Sequence, residues 1–192
     1  RRGQPRHREE RPAVERRRHA PNLCAGVAYR RAGREARSVA IPLVVDGRAV
    51  EVPDDGGSLL EALRDHLGCR SPKDGCSPQG QCGCCTVLVD GQPRVSCVTP
   101  ARRVAGREVV TIEGFDPAER DRWAAAFTRH GASQCGFCTP GIIVRLAALA
   151  RRSPAPLDAH QVESALVAHL CRCTGWRTIV DAATDGASRS RR

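Results

Sequence analysis

Eleven cysteines stand in a chain of 192 residues, and their spacing limits what the chain can fold into. Cys84 and Cys85 are adjacent, and Cys171-Arg172-Cys173 sets two more with a single residue between them. Neighbouring cysteines cannot reach ordinary disulfide geometry without strain, and an odd total leaves one over. A disulfide scaffold is therefore a poor fit. Metal ligation, which uses thiolates bunched in sequence, fits better.

The formal charge of +10 would point to nucleic acid if it were spread over the chain, but it is not. Residues 1–38 carry twelve Arg against four Glu, and the last six residues add three Arg. Sixteen Lys and Arg then face seventeen Asp and Glu over residues 39–186, a net of −1. With a nearly neutral body, one Tyr and no aromatic RNA-binding motif, no nucleic-acid partner is expected. No stretch approaches the roughly 18–20 apolar residues of a membrane span. Arg16-Arg17-Arg18 is followed by His-Ala-Pro-Asn rather than the apolar segment of an export signal, so a cytoplasmic location is expected. Residues 1–38 and 187–192 read as disordered basic tails. The chain has no Met, so its numbering is not expected to begin at a translation start.

Between the tails two kinds of pattern follow one another. Ile41 to Val45 and Arg48 to Val52, joined by Asp46-Gly47, read as a hairpin. Ser58-Leu59-Leu60-Glu61 is a capping box that opens a helix to about His66, and Gly68 is placed to end it. A Gly- and Cys-rich loop runs from Cys69 to Cys85. A second hairpin is predicted over Thr86–Val89 and Gln92–Ser96 around Asp90-Gly91, then a strand over Glu108–Ile112. After that the signals are helical. Asp116-Pro117 opens a helix to about His130, Thr139-Pro140 one through Arg152, Asp158 to Gln161 a third, and Thr174 caps a fourth to about Ala183. The expected plan is α+β: a β-grasp domain over 39–114, then a four-helix domain over 115–186.

Each half carries four closely set cysteines. The first set is Cys76-x5-Cys82-x2-Cys85-x11-Cys97, one residue longer in its first interval than the Cys-x4-Cys-x2-Cys of plant-type [2Fe–2S] ferredoxins. Four thiolates must converge from one tightly wrapped loop, and Gly75, Gly80 and Gly83 let backbone N–H groups approach the sulfurs. Cys85 is preferred over Cys84 because it keeps the two-residue interval from Cys82. Cys69 reads as a buried apolar thiol, and Cys24 as an incidental one in the tail. The second set is Cys135-x2-Cys138-x32-Cys171-x1-Cys173. Spacing alone leaves a structural zinc site of four cysteines open here, although Cys-x-Cys is an uncommon zinc pairing. His169 reads as an ordinary helix residue, because four cysteines already complete the shell.

Taken together these residues are familiar. Asp74-Gly75-Cys76, Gly80-Gln81-Cys82-Gly83-Cys84-Cys85-Thr86-Val87-Leu88-Val89-Asp90-Gly91 and Ser96-Cys97 resemble the first signature of the small iron–sulfur subunit of molybdenum hydroxylases. That family includes xanthine dehydrogenase, aldehyde oxidoreductase and aerobic carbon monoxide dehydrogenase. Gln134-Cys135-Gly136-Phe137-Cys138-Thr139-Pro140-Gly141 and Cys171-Arg172-Cys173-Thr174-Gly175-Trp176 resemble its second and third. The resemblance covers residues 39–186 and implies two [2Fe–2S] clusters. Cys76, Cys82, Cys85 and Cys97 would hold a distal cluster facing an FAD-binding medium subunit. Cys135, Cys138, Cys171 and Cys173 would hold a proximal cluster facing a molybdopterin-binding large subunit, with Gln134 and Cys173 approaching the pterin. The implied role is an electron relay that binds no substrate itself. A free-standing ferredoxin and a zinc-binding interaction module are the rival readings. Besides the longer first interval there is a second departure: Ala168-His169 stands where the family has Gly-Asn.

Overall fold

A computed structural model describes residues 40–188. The tail expected over 1–38, with its Cys24, lies outside the described residues; of the tail expected over 187–192, residues 187 and 188 instead belong to the last helix, and the rest lie outside the described residues. Strands β1 (Ala40–Val45) and β2 (Arg48–Pro53) pair antiparallel, with Val45 opposite Arg48 across a two-residue turn. Asp46 and Gly47 both take positive φ (50° and 76°), the primed turn whose twist matches that of the flanking strands. Strands β3 (Thr86–Val89) and β4 (Gln92–Val95) repeat the device around Asp90 and Gly91. Strand β5 (Glu108–Val110) lies between the hairpins, parallel to β1 and antiparallel to β3, giving the order β2-β1-β5-β3-β4.

Strand β5 stops two residues short of the expected Ile112. The Asp46 carboxylate accepts from Thr111 N at 2.7 Å and from Thr111 Oγ1 at 2.8 Å, which draws the chain out of the ladder into a 3-10 turn over Ile112–Gly114. Helix α1 begins as expected. Ser58 N donates to Glu61 Oε2 (2.7 Å), and Glu61 N donates to Ser58 Oγ (3.2 Å). Its first turn Leu59–Glu61 widens into a π-turn over Ala62–His66, where Leu67 N reaches back five residues to Ala62 O.

The helices of the second half are α2 (Pro117–Arg129), α3 (Thr139–Arg152), α4 (Ala159–Ala165) and α5 (Arg177–Ser188). Asp116 caps α2 through Ala118 N and Glu119 N, and Asp158 with Gln161 forms a capping box on α4. Helix α5 starts two residues later than a Thr174 cap predicts. Gly175 and Trp176 both sit in the left-handed region (φ 71° and 73°), so no right-handed turn forms until Arg177.

Strand β3 is the shared wall of two apolar cores, and all four of its residues are buried. Successive strand residues point to opposite faces. Val87 and Val89 join Leu43, Val45, Val109 and, from α1, Leu59 and Leu63. Leu88 faces the other way into a core with Phe127, Ile142, Leu146 and Ile179. The helical half is thereby packed directly on the sheet.

Candidate metal centres

The loop from Cys69 to Cys85 is tied down from three sides. Arg64 of α1 donates through Nη1 to Pro72 O (2.7 Å), Lys73 N donates to Cys84 O (3.1 Å), and Leu170 N donates to Cys82 O (3.0 Å). These bonds bring the four predicted cysteines of the first set together, with Cys82, Cys85 and Cys97 buried and Cys76 half-buried. Ser96 opens the 3-10 turn that carries Cys97, and its Oγ donates to Cys85 O at 2.7 Å. Cys97 N then points at Cys85 Sγ (3.5 Å), and the two thiols interact. Cys76 pairs with Cys82 and receives the N–H of Gln79 at 3.4 Å. Gly75 is needed for this approach, since a Cβ there would stand 2.9 Å from Cys82 Sγ.

Electrostatics differ along the loop. Burial raises the Cys76 thiol, but the N–H groups of Gln81, Cys82 and Gln79 outweigh it and bring the pKa down to about 6. Cys97 goes the other way, to about 12, through burial and its neighbour Cys85. A thiolate that accepts several N–H groups is stabilised as the anion a metal requires.

The second set comes together at the mouth of α3. Cys138 is the buried residue that precedes the helix, Cys135 is exposed, and the chain between α4 and α5 brings in half-buried Cys171 and exposed Cys173. Cys173 Sγ lies 3.5 Å from Cys135 Sγ, and Cys138 pairs with Cys171. Within each pair the two thiols move apart. Burial and then Cys171 push Cys138 up to about 12, while for Cys171 burial is outweighed by Thr174 together with the Cys173 N–H and the Cys138 thiol, which lower it. The N–H of Phe137 and then the Cys173 thiol lower Cys135, and the Cys135 thiol raises Cys173. Two like groups that share a site behave this way.

The eight thiols thus stand as four pairs, two pairs to a site. That suits a two-iron, two-sulfide rhomb, in which each iron takes two thiolates. A zinc ion would draw four equivalent donors around one point. Among the described residues no three His, Cys, Asp or Glu side chains gather closely enough to hold a single ion. The donor sets fit [2Fe–2S] clusters.

The remaining candidates fall elsewhere. Cys84 lies in the core that holds Cys82 and Cys138, its thiol also hydrogen-bonded to that of Cys82, and burial followed by Cys82 raises it strongly. Cys69 lies in the separate core beneath α1. Gln134 is exposed beside Cys135. His169 departs from expectation, because it lies beyond the end of α4 and is 5 % exposed. Its ring covers Gly83, where φ is 67° and a Cβ would collide with the imidazole. Burial and the Arg145 charge hold it neutral, with a pKa of about 4. No local sequence pattern signals this role, since His169 finds its neighbours only through tertiary contact.

Comparison with known proteins agrees with this chemistry. Residues 43–108 match the 2Fe-2S iron-sulfur cluster binding domain, and residues 111–184 match the [2Fe-2S] binding domain. The chain is therefore a two-domain iron–sulfur protein. It is 36% identical over 152 residues to the xanthine dehydrogenase iron-sulfur-binding subunit of Escherichia coli O157:H7, covering 78% of this chain and 95% of that one. It is also 39% identical over 150 residues to the xanthine dehydrogenase of Blastobotrys adeninivorans, a match over 71% of this chain that spans only 10% of that protein's length. Among solved structures it resembles quinoline 2-oxidoreductase from Pseudomonas putida 86, with a TM-score of 0.70, 38% identity, and coverage of 80% of this chain and 94% of that one. The chain belongs to the family of [2Fe–2S] iron–sulfur subunits of molybdenum hydroxylases.

Proposed function

We propose that this chain is the electron-transfer subunit of a molybdenum hydroxylase complex and carries electrons from a molybdopterin-binding large subunit to an FAD-binding subunit. The observation that carries the reading is the grouping of eight thiols into four pairs at two sites. In this reading Cys76 and Cys82 hold one iron of the distal site, and Cys85 and Cys97 hold the other. Cys138 and Cys171, with Cys135 and Cys173, do the same at the proximal site. When bound, each cluster supplies a one-electron store whose potential follows its hydrogen bonds and its exposure to water.

The protein's own residues set those conditions. Buried Cys82, Cys85 and Cys97 exclude water from the first site, while exposed Cys135 and Cys173 leave the second open on one side. Gln134, Phe137 (44 % exposed) and Leu170 (60 % exposed) flank the second-set cysteines in sequence and are all exposed. An apolar rim next to exposed ligands suits a buried contact with a partner, and it supports the placing of Gln134 and Cys173 toward the pterin. We also read the body as a plant-type ferredoxin-like domain over 39–114 and a four-helix domain over 115–186, flanked by dispensable tails at 1–38 and 187–192. Thiolates that must stay reduced to bind iron suit a cytoplasmic setting.

The test is anaerobic purification from the native host through a tag on this chain. The reading predicts co-purification of a molybdenum-containing subunit and a flavin-containing one. Recovery of a soluble monomer that bears iron, with neither partner, would favour the free ferredoxin.

A further inference from the structure

His169 occupies the seam between the two cysteine sites. Thr86 Oγ1 lies 2.7 Å from Gly83 O and 3.3 Å from His169 Nε2. The hydroxyl's single proton goes to the carbonyl, so Oγ1 accepts from Nε2–H. That choice leaves Nδ1 buried without a hydrogen bond of ordinary geometry, while the Gly141 carbonyl of α3 is a further backbone group that interacts with the ring. Burying an unsatisfied acceptor costs free energy that an apolar side chain of similar volume would not.

The surroundings show what the imidazole holds. The ring fills the space where a Cβ at Gly83, the residue between Cys82 and Cys84, would stand. The next residue, Leu170, donates its N–H to Cys82 O at 3.0 Å, and Cys171 follows. On the other side, α3 presses its first turn against the same peptides, since a Cβ at Gly141 would stand 3.0 Å from the Cys84 backbone. Two consecutive residues, His169 and Leu170, thus clamp the Cys82–Thr86 segment to the segment that carries Cys171.

We propose that His169 is a positioning residue that braces the two cluster sites against each other through Thr86 and Gly83, and so fixes their separation. It ligates neither site. The inference rests on the two-cluster reading above. Electron exchange between two centres falls steeply with distance, so a brace at the seam sets the step between them.

The test uses the full chain, purified anaerobically, in three variants. His169→Leu keeps volume and removes Nε2–H, His169→Gln keeps a donor, and Thr86→Val removes the acceptor. Each is measured for iron and sulfide content, for the magnetic interaction between the two reduced clusters by EPR, and for hydrogen exchange across 166–171. With iron content unchanged, His169→Leu and Thr86→Val should alter the inter-cluster splitting and speed exchange at Leu170 at least tenfold, and His169→Gln should restore most of both. Unchanged splitting and exchange in iron-replete His169→Leu would overturn the proposal. If His169→Leu loses iron, Thr86→Val decides the matter by the same two readouts. A wild-type chain without iron would refute the two-cluster reading instead, and the exchange comparison would still decide the brace.

Discussion

At the adjacent pair Cys84-Cys85, the proposed reading makes Cys85 the ligand and Cys84 a bystander, one residue of register apart. Cys85 Sγ receives the N–H of Cys97 and pairs with its thiol, whereas Cys84 turns toward Cys138 and is held protonated by burial and by Cys82. Cys85→Ser should therefore remove about half of the iron, that of one cluster of two. Cys84→Ala should leave the iron content unchanged. Colorimetric iron and sulfide assays on the two variants check the pair, and loss of iron from Cys84→Ala would reverse the assignment. The preference for Cys85 rests on the two-residue interval from Cys82, since a loop that wraps a small cluster fixes its ligand spacing, and the iron assays decide it. The identity of Cys84's surroundings was not legible, since they come from α3 and lie more than fifty residues along the chain.

The elements were readable where their signals are local. Both hairpin turns and the Ser58 capping box lie within four residues of chain, and all three formed where the sequence placed them. The early end of β5 and the late start of α5 were not, because each follows from contacts or backbone strain away from the element. Asp46 shows the first case, and it carries a pH dependence. Burial first, then the nearby Glu113, raise its carboxyl above 3.8 against the hydrogen bonds from Thr111. A raised folded-state pKa contributes stability that is present below 3.8 and is lost as pH rises through the raised value. The stability difference between the wild type and Asp46→Asn should thus shift against the wild type as pH rises from below 3.8 through the raised value, as read by thermal melts. A difference independent of pH would contradict this account of the turn. Packing gives a second prediction for an element. Gly141→Ala would place a methyl against Gly83 O and the Cys84 backbone, and overpacking of this kind costs about 1–3 kcal/mol. Denaturant titration should show a lower midpoint, and an unchanged midpoint would mean that α3 is free to shift.

The whole molecule joins the two halves through β3. Leu88 lies 1 % exposed in the core of the helical half, and Val110 packs against that core from β5. Cutting the chain after residue 114 should therefore expose this face, and truncating Leu88 to Ala should cost about 2–5 kcal/mol even though the residue belongs to the sheet. Calorimetry of Leu88→Ala checks the joint, and loss confined to the first cluster would show that the halves are independent. The alternation that puts Val87 and Val89 on one face and Leu88 on the other was present in the sequence. The fact that both faces are covered was not, because a run of three apolar residues reads the same whether one face or two is buried. Among the described residues no helix is long and apolar enough to cross a membrane, and the charge that dominates the composition lies chiefly in the tails. The central claim, that eight thiols in four pairs hold two clusters, is tested most directly by metal and sulfide analysis of the anaerobically purified chain, with EPR after dithionite reduction. The account predicts about four irons and four acid-labile sulfides per chain with two distinguishable signals, and two zinc ions with no visible absorption would contradict it.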